Sequence, residues 1–156
     1  MSLRIYVDAD ACPVKDEVYK VAYRYDVPVS VVANSVIRIP KHELIERIVV
    51  NDALDAADDW IAERCDAGSV VITSDIPLAD RALKAGATAL SPNGKAFTAD
   101  SIGMALATRS IMQDLRAGAV GENLGGPAAF TKADRSKFLS ALDTVLVKLK
   151  RDDAGG

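Results

Sequence analysis

Short apolar runs of four or five residues alternate along this chain with longer stretches in which apolar residues recur every third or fourth position. Leu3-Arg4-Ile5-Tyr6-Val7 is the first run, and its β-branched residues read as a strand buried on both faces. Residues 13–26 carry Val14, Val18, Val21, Ala22 and Tyr25 at i, i+4, i+7, i+8 and i+11, which predicts an amphipathic helix. Pro13 can open that helix and Val27-Pro28 closes it. Val29-Ser30-Val31-Val32-Ala33 is the second strand, ended by Asn34-Ser35. Residues 36–45 are loop-like, and Arg47-Ile48-Val49-Val50 predicts a third strand.

The second half repeats the alternation. Residues 51–66 predict a helix with Leu54, Ala57, Ile61 and Ala62 on its apolar face, stopped by Gly68. Ser69-Val70-Val71-Ile72-Thr73 is a clear strand, Asp75 is placed to cap the next helix, and Lys84-Ala85-Gly86 stops it. Ala87-Thr88-Ala89-Leu90-Ser91 is the last strand, followed by the turn Pro92-Asn93-Gly94-Lys95. Thr98 can cap a helix over 99–117, with Ile102, Ala105, Met112 and Leu115 as core candidates. Residues 118–127 are glycine-rich but lack both Walker and GxGxxG spacing, so they read as a connector. Thr131 and Asp134 approximate a capping box before a final helix ending near residue 150, whose stripe is Phe138, Leu142, Val145, Leu146 and Leu149. The order predicts an α/β fold: a three-layer sandwich with a mostly parallel sheet of about five strands and helices on both faces. One domain over 1–150 is expected, with residues 151–156 as a disordered tail.

Composition narrows the function classes. The formal net charge of −3 gives no support to bulk nucleic-acid binding, although a local basic strip beside an acidic site is compatible with it. Two cysteines, Cys12 and Cys65, make neither a disulfide framework nor a CxxC zinc motif. The single histidine, His42, stands between Lys41 and Glu43, so imidazole-based zinc sites and Ser-His-Asp catalysis are poor fits. No apolar run approaches a membrane span and no basic leader precedes an apolar segment, which makes the cytoplasm the default expectation.

The chemistry-bearing residues are aspartates. Asp8 and Asp10 follow the first strand and Asp75 follows the fourth, so in a parallel sheet they share one edge. Asp52, Asp55, Asp58 and Asp59 crowd the start of the predicted helix over 51–66; helical spacing puts Asp55 on one side with Asp58 and Asp59, where they repel. Local explanations exist for each: an Asx-turn for Asp10, a cap for Asp75, a favourable helix dipole for the run. Asp8, Asp10, Asp55, Asp58, Asp59 and Asp75 together form a hard-oxygen set with no His or Cys beside it, suited to Mg²⁺ or Mn²⁺ and through them to phosphoryl chemistry. Asn34 reaches the same edge, while Lys95, Arg109 and Arg116 are candidates to hold substrate phosphates.

Four segments carry a resemblance. Residues 8–15 (Asp8-Ala9-Asp10-Ala11-Cys12-Pro13-Val14-Lys15), Val32-Ala33-Asn34, residues 55–61 and residues 72–79 resemble the YaiI/YqxD family of uncharacterised bacterial proteins. The stretch 109–116 and Gly125-Gly126-Pro127 are similar to the same family, so the resemblance covers nearly the whole chain. More remotely, the first-strand acid, the helix acids and the segment Thr73-Ser74-Asp75 are similar to PIN-like nuclease domains. That resemblance implies a PIN-like fold in which Asp8, Asp75 and Asp55 with Asp58 or Asp59 bind a divalent metal that cleaves RNA, with Asp10 extra to the pattern. Asp8 and Asp75 then become the catalytic pair, and RNA the expected partner; a homo-oligomer is compatible with it. Two other readings stand beside this one. Asp8-x-Asp10 resembles the nucleophile and acid of haloacid-dehalogenase-like phosphatases and Asp75 with Asp80 their last acidic motif, and a PIN-like shell can also bind RNA or protein without cutting.

Overall fold

The computed structural model describes residues 2–53, 55–118 and 130–155, with side chains described only as far as Thr108 in the fourth helix. Leu54 and the greater part of the glycine-rich connector lie outside the described residues, as do the side chains of Met112, Leu115, Arg109 and Arg116.

Five strands form one parallel sheet in the order β3-β2-β1-β4-β5: β1 Arg4–Asp8, β2 Val29–Ala33, β3 Ile45–Val49, β4 Ser69–Ile72 and β5 Thr88–Leu90. The α/β fold with helices around a parallel sheet is therefore as the alternation predicts. The chain builds outward from β1 through β2 to β3, then returns to the other flank of β1 with β4 and β5. That reversal places a topological switch between β1 and β4, where open α/β sheets bind ligands beyond the carboxyl ends of their strands.

Strand parity divides the core. Ile5, Val7, Val29, Val31, Val70 and Ile72 face α1 (Lys15–Tyr25) and α5 (Lys132–Gly155), which bury Val18, Val21 and Ala22 against Phe138, Leu142 and Leu146. Tyr6, Val32, Val71 and Ala89 face α2 (Ala56–Arg64), α3 (Ile76–Lys84) and α4 (Ala99–Gly118), with Ile61, Leu78, Ala79, Ala82 and Ile102 buried between. Tyr25 and Arg24 of α1 both hold Asp143 of α5, the tyrosine hydroxyl donating at 2.8 Å. Gly94 lies in the left-handed region at φ +88, and a Cβ there would come within 2.7 Å of the Lys137 backbone. The turn after β5 therefore sits hard against α5, where a side chain would not fit.

The predicted caps are present. Asp134 N–H donates to Thr131 Oγ1 at 3.1 Å and Thr131 N–H to Asp134 Oδ2 at 3.0 Å, a reciprocal box. Ser101 N–H donates to Thr98 Oγ1 at 3.0 Å, and Leu78 N–H to Asp75 Oδ1 at 2.9 Å.

Three local expectations are corrected. The third strand begins at Ile45, not Arg47, because Ile45 pairs with Val29 at the start of the β2 ladder. Helix α2 begins at Ala56, not residue 51. Asn51 makes an Asx-turn instead, its Oδ1 accepting from Ala53 N–H at 2.9 Å, and Asp55 then adopts a left-handed conformation at φ 66. Residues 151–155, expected as a disordered tail, continue α5 to Gly155, since neither glycine nor proline interrupts the helix before that point.

Candidate functional site: an acid-lined cavity at the sheet switch

Strand β1 ends on Asp8, and a single 3-10 turn (Ala9–Ala11) carries Asp10 outward before α1. Asp10 Oδ1 accepts from Asn34 N–H at 3.3 Å, which ties the turn to the end of β2. On the other side of β1, β4 ends and the chain passes through Thr73 and Ser74 to Asp75, the cap of α3. Asp8, Asp10, Asp52, Asp55, Asp58 and Asp75, with Asn34 and Asn51, line one cavity of about 310 Å³. Six carboxylates from three separate segments of the chain thus meet at the switch. Asp75 caps its helix and faces this cavity as well, so the cap and the site are not alternatives.

Thr73 joins the two strand-end acids. It is buried, 2% exposed; its Oγ1 donates to Asp8 Oδ2 at 2.8 Å and accepts from Asp75 N–H at 2.9 Å. Because the single hydroxyl proton is committed to Asp8, the Asp8 carboxylate is held as an acceptor in one orientation. Nothing in the strand pattern marked Thr73 for this role; the signal was a polar residue ending an apolar run just before an acid.

The crowding has an electrostatic consequence. Burial pushes the Asp8 carboxyl above its ordinary range, opposed by the Thr73 hydrogen bond and assisted by the charges of Asp75 and Asp10. Asp58 is raised to about 6, by burial first and then by the charges of Asp75, Asp8 and Asp55. Among the described residues, no lysine or arginine lines the cavity.

Not every expected acid joins the set. Asp59 turns away and pairs with Arg81 at 2.7 Å on the exposed surface. With α2 starting at Ala56, Asp55 precedes the helix, so the expected helical grouping of Asp55 with Asp58 and Asp59 does not form. Asn51 and Asp52, not singled out as site residues from the sequence, take part through the turn that delays α2. Lys95 lies outside the acid cavity and lines two others further along the same edge. Among the described residues no three acids, histidines or cysteines stand close enough to make a finished metal cage.

The sequence profile of the uncharacterised YaiI/YqxD family matches residues 6–148. The chain belongs to that family. It is 65% identical over 147 residues to a UPF0178 protein of Sphingopyxis alaskensis, covering 94% of this chain and 95% of that one. UPF0178 proteins of Rhodopseudomonas palustris (strain TIE-1) and Bradyrhizobium diazoefficiens are each 62% identical over 148 residues; the match covers 95% of this chain and 92% and 87% of theirs. No solved structure matches the chain. The family resemblance read from the short motifs is thus a relationship along almost the whole length, and the names attached to these relatives assign no activity.

Two outcomes follow from the geometry. Thr73→Val leaves the Asp75 N–H without its partner and removes the donor to Asp8, so it is expected to lower unfolding stability by about 1–3 kcal/mol, with Thr73→Ser recovering most of it in urea titrations. For Asp58 the sign is fixed by its raised pKa. The folded state holds the proton more tightly than the unfolded chain, so stability falls as pH rises from about 4 through about 6. In chelator, Asp58→Asn is therefore expected to melt higher than the parent at pH 8, by about 1 kcal/mol after solvent screening, roughly 2–4 °C. Near pH 4 the two should coincide; an equal gain at both pH values would contradict the assignment.

Proposed function

We propose that this chain is a divalent-metal-dependent phosphodiesterase that cleaves RNA. The observation that supports the reading is the meeting of Asp8, Asp10, Asp58 and Asp75 on one cavity at the sheet switch, with no basic residue among the described residues of its lining. Burial and, after it, the neighbouring carboxylates raise the proton affinity of Asp58, and a bound cation would relieve the repulsive part.

The donor set fits a hard ion. Among the described residues of its lining every ligating group is an oxygen donor, with neither cysteine nor histidine present. Mg²⁺ keeps several of its waters and is commonly held by one or two carboxylates together with substrate phosphates, so a rim without a closed cage suits it better than it suits zinc. Asp8 and Asp75 would hold the ion, with Asp10, Asp55 and Asp58 adding charge. When bound, such an ion neutralises charge developing on the phosphate and activates water. The chain's own part is to fix Asp8 through Thr73, to hold Asp75 by its place at the start of α3, and to keep the cavity open on the solvent side for an extended substrate.

The phosphatase reading uses Asp8 and Asp10 but leaves Asp58 and the loop acids without a part, which is why the nuclease reading is preferred. Localisation stays with the sequence expectation; among the described residues no helix is long and apolar enough to cross a membrane.

The expected outcome is cleavage of labelled single-stranded RNA with Mg²⁺ or Mn²⁺, abolished by chelator. Asp8→Asn and Asp75→Asn should each slow it by about 100-fold or more. Asparagine caps a helix about as well as aspartate, so Asp75→Asn should keep its melting temperature. Cleavage that survives both substitutions, or its absence with every divalent ion, contradicts the proposal. Release of phosphate from p-nitrophenyl phosphate through a trapped aspartyl-phosphate on Asp8 would favour the phosphatase.

A further inference from the structure

The acid cavity opens into a longer feature. It shares Asp8, Asp10 and Asp75 with a second cavity of about 720 Å³, completed by Ser74, Ile76, Met104, Ala105 and Thr108. That cavity shares Ser74 and Ile76 with a third of about 330 Å³, which includes Phe97 and Lys95. The third shares Asn93 and Lys95 with a fourth of about 650 Å³, which Lys137 also lines. The four follow the strand order along the carboxyl edge, from the ends of β2 and β1 past β4 to the turn after β5. Each shares lining residues with the next, and the four in series are termed the trough.

Its lining changes in a definite sequence. Carboxylates come first. Then follows an apolar wall in which Met104 is 72% exposed, beside Ile76 and with half-buried Phe97 beyond it. Met104, Ile76 and Phe97 thus offer an apolar surface directly beside the charged cavity. At the far end stand two exposed cations, Lys95 and Lys137. Asp134 also lines that end and draws partly on Lys137, whereas Lys95 has no ion pair among the described residues. In the opposite direction the rim is made by Asp52 and Asp55, which repels any further phosphate.

Acids, then apolar wall, then cations match the chemistry of a single-stranded nucleic acid: a phosphate at the ion site, unpaired bases against the wall, and phosphates again at the lysines. We infer that a single strand lies along this trough on one side of the acid cavity only, leaving it over Ile76, Met104 and Phe97 toward Lys95 and Lys137. This inference rests on the proposed phosphodiesterase reading for the position of the cut, but binding along the trough is measurable without turnover. A paired duplex cannot offer its bases to the wall, so the strand must be unpaired.

The test is fluorescence anisotropy of labelled single-stranded RNA and DNA of about ten nucleotides, a dinucleotide and a duplex, on the full chain in Mg²⁺. The ten-nucleotide single strand is expected to bind at least about tenfold tighter than the dinucleotide or the duplex, and the RNA and DNA arms tell which sugar is preferred. Lys95→Glu with Lys137→Glu should weaken that binding by about tenfold or more and reduce its salt slope by about 1.4, the value for two phosphate contacts to a single strand. The charge-matched control Lys148→Glu with Lys150→Glu, on the same helix α5 but outside the trough, should stay within about twofold. No binding by the parent chain, or equal losses in the two double variants, overturns the inference. Strand binding that depends on Lys95 and Lys137 without any cleavage leaves the trough standing and removes the nuclease; cleavage indifferent to these lysines does the reverse.

Discussion

The parallel pairing of β1 with β4 is the constraint on which the rest of this molecule depends. Its register, Arg4 opposite Ser69 through Val7 opposite Ile72, ends the two strands within one residue of the same level. One step further on each strand stand Asp8 and Thr73, at hydrogen-bonding distance. The same pair of strands marks where the chain reverses its direction of growth, with α1 on one face and α3 on the other. A crevice at this point follows from topology, since the helices leaving the two strands diverge to opposite faces. Its chemistry is then set by the residues that close each strand, and here both closures supply acids.

Much of this was legible from the chain. Short β-branched runs and helical stripes identified the five strands and their order of connection, because both faces of the sheet are buried and the apolar patterns are strong. Thr131 with Asp134, Thr98 and Asp75 announced their caps by residue type. The convergence of Asp8, Asp10 and Asp75 followed from parallel strands alone. What was not legible depended on competition between local interactions. Asn51 could begin a helix or make an Asx-turn, and the turn won; that moved Asp55 off the helix and brought Asn51 and Asp52 to the cavity. Asp59 stands one residue from Asp58, yet 100° of helical rotation and the nearby Arg81 send it to the surface. Thr73 and Lys137 could not be placed without tertiary structure, one because a strand-end threonine has many uses, the other because α5 returns from far along the chain.

The family to which this chain belongs carries no assigned activity, so the physical argument rests on the cavity itself. Carboxylates gathered where water is partly excluded hold protons more tightly, as Asp8 and Asp58 do, burial contributing most and the charges of the neighbouring acids adding to it. A protein gains no stability from such an arrangement, and the sequence could have avoided it with amides. Sites that serve chemistry commonly depart from the most stable choice in this way. The cation proposed above would give the acids a reason to be kept together.

That claim is open to direct inspection. In crystals grown or soaked with Mn²⁺, anomalous scattering should place manganese in the cavity, bound by oxygens of Asp8 and Asp75. Manganese found only at surface carboxylates such as Asp59, or nowhere, with the Asp8 and Asp75 side chains unmoved and the cavity filled by water, would contradict the account.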